Sequence, residues 1–421
     1  MSRHFSEKTF NSLQKLKGNR KARRAQSKLR TAPAVATGES SSTYLLDRLE
    51  PRILMDATPL RLTDFAAVTT DGAVQATVRL SASEVNSTKV YNYSIYDVTG
   101  ATFISGGQIS STEGLNILGG DQADRIKLGF EAGFDTSAAF TVSVDGGAGD
   151  DVVTLASFEN GYLGSLNLSA EAVTVSAAIG AANARVNAVT LTAQAVKTLD
   201  GNGSASASGV ITLSNSIYAT GAVRLLAQAS VSGIKDFTGI DVTGSPSVAT
   251  VARIVVSDSV TVDAGAISLV TGAVTNVTEK TNNRLLFVAT ATVSSTSRVE
   301  IGAGAQLLSS EAGGITVSAT DDTDVTVDVS ALELSVGSET VFAVNALAVD
   351  LDIEKSVGVT IGSTDTSKPT VALTAGGGGG IFLAAQADGS VLSKVNSSFL
   401  GISQVDLTGS SGGVLVDVKI G

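Results

Sequence analysis

One short pattern recurs along the second half of this chain and leaves few folds open to it. It reads small, branched apolar, any, Leu or Val, any, small. It occurs at Ala172–Ala177, Ala188–Ala193, Ala222–Ala227, Ala266–Val270, Gly314–Ala319, Thr370–Ala375 and Gly380–Ala385. A strand places alternate side chains on opposite faces, so each copy presents two apolar residues on one side and polar ones on the other. The copies start 16, 34, 44, 48, 56 and 10 residues apart. A strict solenoid would be regular. The pattern therefore predicts an all-β parallel β-solenoid (β-helix) with coils of unequal length and loops inserted on one side. Composition agrees. There is no Trp, there are 13 Phe and 6 Tyr, and small residues dominate, so a thick aromatic core is excluded while thin aliphatic ladders are not. The 5 prolines suit long backbone ladders, because proline removes a donor.

A second signal lies upstream. Gly146–Leu155 reads Gly-Gly-Ala-Gly-Asp-Asp-Val-Val-Thr-Leu. It fits the G-G-x-G-x-D-x-U-x nonapeptide of calcium-binding β-helices at every specified position, with Gly146, Gly147, Gly149, Asp151 and Val153. Glycines let the backbone turn through positive φ and aim carbonyls at one point, and the aspartate adds a charged oxygen. A hard cation such as Ca²⁺ takes six to eight oxygens. A second copy, Gly119–Lys127, keeps Gly119, Gly120, Asp124 and Ile126 but has Gln122 in place of the third glycine. The copies start 27 residues apart, about one β-helix coil, which predicts that the two turns stack with their carboxylates converging. Two readings follow. One is a calcium site held by Gly119, Gly120, Asp124, Gly146, Gly147, Gly149 and Asp151. The other is a pair of stacked Gly/Asp turns that needs no metal.

Charge divides the chain. Residues 1–30 hold ten Lys/Arg against the single acid Glu7. The remainder keeps 19 of the 29 basic and 39 of the 40 acidic residues, a net of −20. An acidic body suits calcium-rich extracellular surroundings and argues against nucleic acid as its partner. No cysteine is present, which excludes disulfides and thiolate metal sites and is compatible with export. No run of about 18 apolar residues offers a transmembrane helix. The basic head is followed by the small, polar stretch Thr31–Thr43 rather than by an apolar signal core, so no secretory signal of the usual kind is seen. Phe5, Phe10, Leu13 and Leu16 lie at roughly helical spacing, which reads as a short amphipathic helix in an otherwise solvated, disordered leader. His4, the only histidine, lies in that leader and reads as neither a ligand nor a catalytic base.

The division read from the sequence is a basic leader and linker at 1–43, a short amphipathic element at 44–60, the start of the solenoid at 61–160, and a degenerate solenoid at 161–421. In the second element Pro51 separates two short apolar pieces. Leu49-Glu50-Pro51-Arg52-Ile53-Leu54-Met55-Asp56-Ala57 resembles the LEPR-XLL motif, found near the N-terminus of long, repetitive, exported proteins of Gram-negative bacteria. Leu49–Arg52 match its four-residue core, Leu54 is its first leucine, and Met55 replaces the second. The resemblance covers about 15 of the 421 residues, within Tyr44–Thr58. It implies a giant adhesin-like or calcium-binding, RTX-like surface protein. It implies no activity, because the motif is a proposed targeting or processing element.

Thr63–Asn116 carries alternating apolar runs, and Leu115–Leu118 and Phe140–Val144 each feed straight into a Gly-Gly turn. The five glycines Gly376–Gly380 read as a turn between coils, since a phosphate cradle needs a lysine and a following helix. The acid cluster Asp321–Asp328 lacks converging glycines and reads as a solvated strand edge. Gly413–Gly421 reads as an uncapped strand, which suggests the front of a longer protein or a short member of its kind.

Three functions are in view. The first is a non-enzymatic secreted or cell-surface structural, adhesin-like protein whose partners are a surface or matrix ligand and, through the leader, an export machinery. The second is a polysaccharide-acting β-helix enzyme, which needs acid/base groups clustered on one face; the body has no histidine and no aromatic platform for sugars. The third is a calcium-triggered folding module of a larger exported protein, in which metal binding stabilises the fold.

Overall fold

A computed structural model describes residues 59–65, 69–109, 114–159, 161, 163–238, 247–284, 287–310, 312–336, 339–344, 347–396, 406–407 and 415–420. They belong to a unit that starts at Glu50, distinct from Met1–Leu49. The leader and the Leu49–Ala57 motif lie outside the described residues.

The unit is a parallel β-solenoid. One sheet stacks β1 (Leu60–Arg61), β5 (Leu115–Gly120), β7 (Thr141–Gly147), β9 (Ser165–Ala170), β11 (Ala188–Thr198), β14 (Ala222–Thr238), β17 (Ala266–Arg284), β20 (Ile315–Val336) and β24 (Ile381–Asn396). The strand β21 (Glu339–Val344) folds back antiparallel on β20. A second sheet stacks β2 (Gln75–Val85), β6 (Arg125–Phe130), β8 (Val152–Phe158), β10 (Ala172–Val175), β12 (Ala205–Leu213), β15 (Ser247–Val256), β18 (Phe287–Ile301) and β22 (Leu347–Ile361), with β25 (Asp406–Leu407) and β26 (Leu415–Ile420) both on β22. A third, smaller sheet holds β13 (Ile217–Tyr218), β16 (Thr261–Ala264), β19 (Gln306–Ser309) and β23 (Ala372–Ala375). From β11 onward each coil visits the three sheets in the same order.

The recurring sequence pattern is the stacking unit. Its two apolar positions form two columns per sheet. In the first sheet Ile117, Val144, Leu168, Leu191, Leu225, Leu269 and Val317 lie one above the next, all buried. In the second, Val78, Leu128, Leu155, Val175, Leu213, Val256, Ile301 and Ile361 do the same. Burying one such side chain contributes about 1.5–3 kcal/mol, so one coil alone is marginal and the stack is what holds. A bidentate ion pair from Arg185 to Asp263, at 2.8 and 2.5 Å, ties an irregular corner to the third sheet.

Two features depart from a plain parallel coil. The first lies at the start. β2 runs parallel to β6, but β3 (Thr88–Asp97) and β4 (Phe103–Ile109) continue the second sheet antiparallel. Asn86 and Ser87, both at positive φ, make the two-residue turn between β2 and β3. This hairpin covers the edge that the first coil would otherwise expose. Beneath it sits an aromatic cluster of Tyr91, Phe130, Phe134, Phe140 and Phe158, with ring centroids 4.8–6.0 Å apart. The thin aliphatic core expected from composition therefore has a thick aromatic start.

The second departure explains the uneven spacing. The corner between the first and second sheets lengthens along the axis. Residues in equivalent register enclose Ala170 to Ala172, then Ala193 to Val210, Ala227 to Arg253, Thr271 to Arg298, and Ala319 to Gly358. The strands run on past the lumen as a two-layered fin with its own small-residue core of Ala195, Ala207, Ala229, Ala252, Ala273, Val277 and Val325. Hydroxyls cross between its layers: Thr250 to Thr275 at 2.8 Å and Thr271 to Ser297 at 2.9 Å. The solvated-edge reading of Asp321–Asp328 is corrected at Asp321. That residue is 2% exposed and lies inside the fin, while Asp322 and Asp324 face out. The glycines Gly376–Gly380 form the corner from β23 to β24, as expected.

Candidate functional site

The two Gly-Gly turns are the corners from β5 to β6 and from β7 to β8. Gly120 lies opposite Gly147, so the 27-residue spacing is one coil and the turns stack. Asp124 and Asp151 are 0% and 1% exposed; their side chains turn inward at the corner.

Each carboxylate caps the neighbouring rung. Asp124 Oδ1 accepts the Val74 N–H at 2.7 Å, and its Oδ2 accepts the Gly120 N–H. Asp151 Oδ1 accepts the Asp124 N–H at 2.8 Å. Glu171 Oε2 accepts the Asp151 N–H at 2.8 Å. The residues that follow, Gln75, Arg125, Val152 and Ala172, are in register, so the acceptors form a ladder along one corner. A buried N–H left without a partner would cost about 1–3 kcal/mol, and the ladder supplies an acceptor at each rung where the chain turns.

The glycines make room for this inward turn. A Cβ on Gly146 would sit 2.6 Å from Asp151 Cβ, and one on Gly119 would sit 2.0 Å from Gly146 O and 2.6 Å from Asp124 Oδ2. Gly147 (φ +104°) and Gly149 (φ +145°) add a backbone conformation that L residues avoid. Gly120 is looser, its nearest neighbour being Thr63 Cγ2 at 3.1 Å. The structure thus brings together all seven candidate residues, Gly119, Gly120, Asp124, Gly146, Gly147, Gly149 and Asp151. It adds Glu171 and the Val74 N–H, which the nonapeptide pattern did not reach. Glu171 had a signal of its own: it is the single charged residue between Ser165–Ala170 and Ala172–Ala177, two stretches of the small-residue strand pattern.

One atom is unanswered. Asp151 Oδ2 is buried without a hydrogen-bond partner. Burial pushes the Asp151 carboxyl up from 3.8 to about 6; the carboxylates of Glu171, Asp124 and Asp145 push the same way, and the Asp124 N–H opposes them. At the rim, Lys197 Nζ pairs with Asp150 at 2.7 Å.

The donor set bears on calcium. Three of the four aspartate oxygens already accept backbone N–H bonds, which leaves Asp151 Oδ2. A hard cation takes six to eight oxygens, so at these turns backbone carbonyls would have to supply most of them. The carboxylates themselves are arranged as a ladder of acceptors for N–H groups.

Compared with protein-family models, curated proteins and solved structures, the chain matches none.

The ladder has a pH signature. Between the ordinary carboxylate value of 3.8 and about 6, the folded chain keeps a proton on Asp151 that the unfolded chain has released. Stability therefore falls as pH rises through that window and is level above it on this account. Asp151→Asn keeps an oxygen for the Asp124 N–H and removes the titration. It is expected to abolish this slope and to add roughly 2 kcal/mol near neutral pH. Urea unfolding of both proteins between about pH 4 and pH 8 checks this; parallel stability profiles would rule it out.

Proposed function

We propose that this chain is a non-enzymatic structural protein of the cell surface or the secreted space, in which the solenoid serves as a stiff, adhesin-like scaffold. The observation that supports it best is the use made of the interior. Two aliphatic columns per sheet run through successive coils, and the fin extends them with a second packed layer. Two of the buried carboxylates, Asp124 and Asp151, are spent on capping rungs. Among the described residues Asp151 is the acid whose titration is raised toward neutrality, and at 1% exposure a polymeric substrate has no route to it. This weighs against the polysaccharide-enzyme reading.

The acidic body and the missing cysteine support placement outside the cell, and so does the resemblance at Leu49–Ala57. On this reading the leader addresses an export machinery, and the solenoid surface meets a surface or matrix ligand. Antibody raised to the solenoid, applied to intact and to lysed source cells, tests the placement. Equal labelling of intact cells and lysates is expected. Labelling that appears only after lysis removes the proposal.

The calcium-stabilised alternative makes an opposite forecast. On the capping reading the carboxylates already serve the backbone N–H groups and need no ion. Adding Ca²⁺ is therefore expected to leave both the far-ultraviolet circular dichroism and the melting midpoint unchanged. A gain of β signal, or a midpoint that rises with Ca²⁺ and falls back with chelator, would restore calcium to these turns.

A further inference from the structure

The fin buries a lysine against an aspartate. Asp321 on β20 and Lys355 on β22 are 2% and 9% exposed, and Lys355 Nζ lies 3.2 Å from Asp321 Oδ1. Two hydroxyls hold the carboxyl. Thr323 Oγ1 donates to Oδ1 at 2.7 Å, and Ser295 Oγ donates to Oδ2. Lys355 Nζ also donates to the Asp388 carbonyl. Along the column of Lys355, the preceding rungs carry Thr250 and Ser295. The position on β24 that continues Thr275 and Thr323 is Gly389, so the last described rung has no side chain where its predecessors have threonine.

From this geometry we propose that Asp321 and Lys355 condense to an intramolecular amide that staples β20 to β22. The atoms balance. The Lys355 ammonium gives protons to the leaving oxygen, Oδ1. The nitrogen attacks the carboxyl carbon, the C–N bond forms, the C–Oδ1 bond breaks, and the oxygen departs as one water. Nothing is oxidised or reduced. Oδ2 becomes the amide oxygen, and the Ser295 hydroxyl on it stabilises the charge that develops there during attack. Two physical facts favour the step. Amide formation in bulk water is opposed by the excess of water, but groups held in contact reach effective molarities of roughly 10⁵–10⁸ M. The product also removes a buried ion pair, whose desolvation offsets much of its own attraction.

The test is the intact mass of the full chain under denaturing conditions, followed by tryptic mapping. The expected result is a protein lighter than its sequence by one water, with a branched peptide joining the segments of Asp321 and Lys355. Lys355→Met should have the full sequence mass and no branched peptide. Asp321→Asn should form the same amide by loss of ammonia, and so reach the same mass as the wild-type protein. Full mass in the wild-type protein overturns the proposal. So does a lost water that maps elsewhere, as in an aspartyl succinimide, with the two peptides unlinked. The wild-type measurement decides even where a variant fails to fold.

Discussion

Gly147→Val is expected to lower the stability of the first coils by about 4 kcal/mol, which combines roughly 1–3 kcal/mol of backbone strain with a similar cost for overpacking. Gly147 sits at φ +104°, and a Cβ there would lie 2.1 Å from the Gly120 carbonyl oxygen of the rung below. That oxygen cannot give way easily. It accepts the Ala148 N–H at 3.0 Å, so moving it breaks the link between the two corners. The damage should be local, because each coil rests on its immediate neighbours. Hydrogen exchange is expected to speed up across β5 to β8 and to stay unchanged in β15 to β19. Gly133→Ala is the control. It also has positive φ (+80°), but nothing lies within 4 Å of the added Cβ, so only the strain remains, on the order of 1 kcal/mol. Equal losses in the two variants would mean that the close approach of the two corners is not what makes Gly147 necessary.

The same corner shows what the sequence made legible and what it did not. The Gly-Gly turns could be read because their glycines answer a geometric demand: an inward aspartate leaves no volume for a neighbouring Cβ. What the aspartates do there was not legible, since a motif fixes residue types and not the partners of each oxygen. The aliphatic columns were legible too, because branched residues two apart must share a face. The fin was not. Its strands alternate Ala, Ser and Thr with polar residues, and a small-residue strand reads alike whether it is covered or solvated. Yet the phase was present. Ile315, Val317, Ala319, Asp321, Thr323 and Val325 differ by two, and all are buried. Carried on from Ile315, the two-residue period alone puts Asp321 on the inward face. The antiparallel hairpin at the start had a comparable signal in Asn86-Ser87, two turn-forming residues between alternating runs.

Removing one member of the buried pair should be as damaging as the glycine change, for an electrostatic reason. Asp321→Leu would leave the Lys355 ammonium inside the fin with only the Asp388 carbonyl to receive it, and would strip Ser295 and Thr323 of their acceptor. Loss of a single partner from a buried pair typically costs about 3–5 kcal/mol, because the remaining charge is desolvated without compensation. Adding Lys355→Met removes that charge and fills its place with a side chain of similar length. The double variant is therefore expected to recover the part due to the stranded ammonium. Its remaining deficit against the wild-type protein measures what the join between β20 and β22 contributes. An amide confines the unfolded chain as well as the folded one, so a cross-linked wild type should stay more stable than the double variant by roughly 3 kcal/mol. A simple ion pair forecasts near equality, since buried pairs replaced by apolar residues of similar volume often cost nothing. Guanidinium unfolding of the wild type, the single variant and the double variant, followed by circular dichroism, separates the two outcomes. A single variant as stable as the wild type would show that Lys355 reaches water in solution and that the fin is not closed around it.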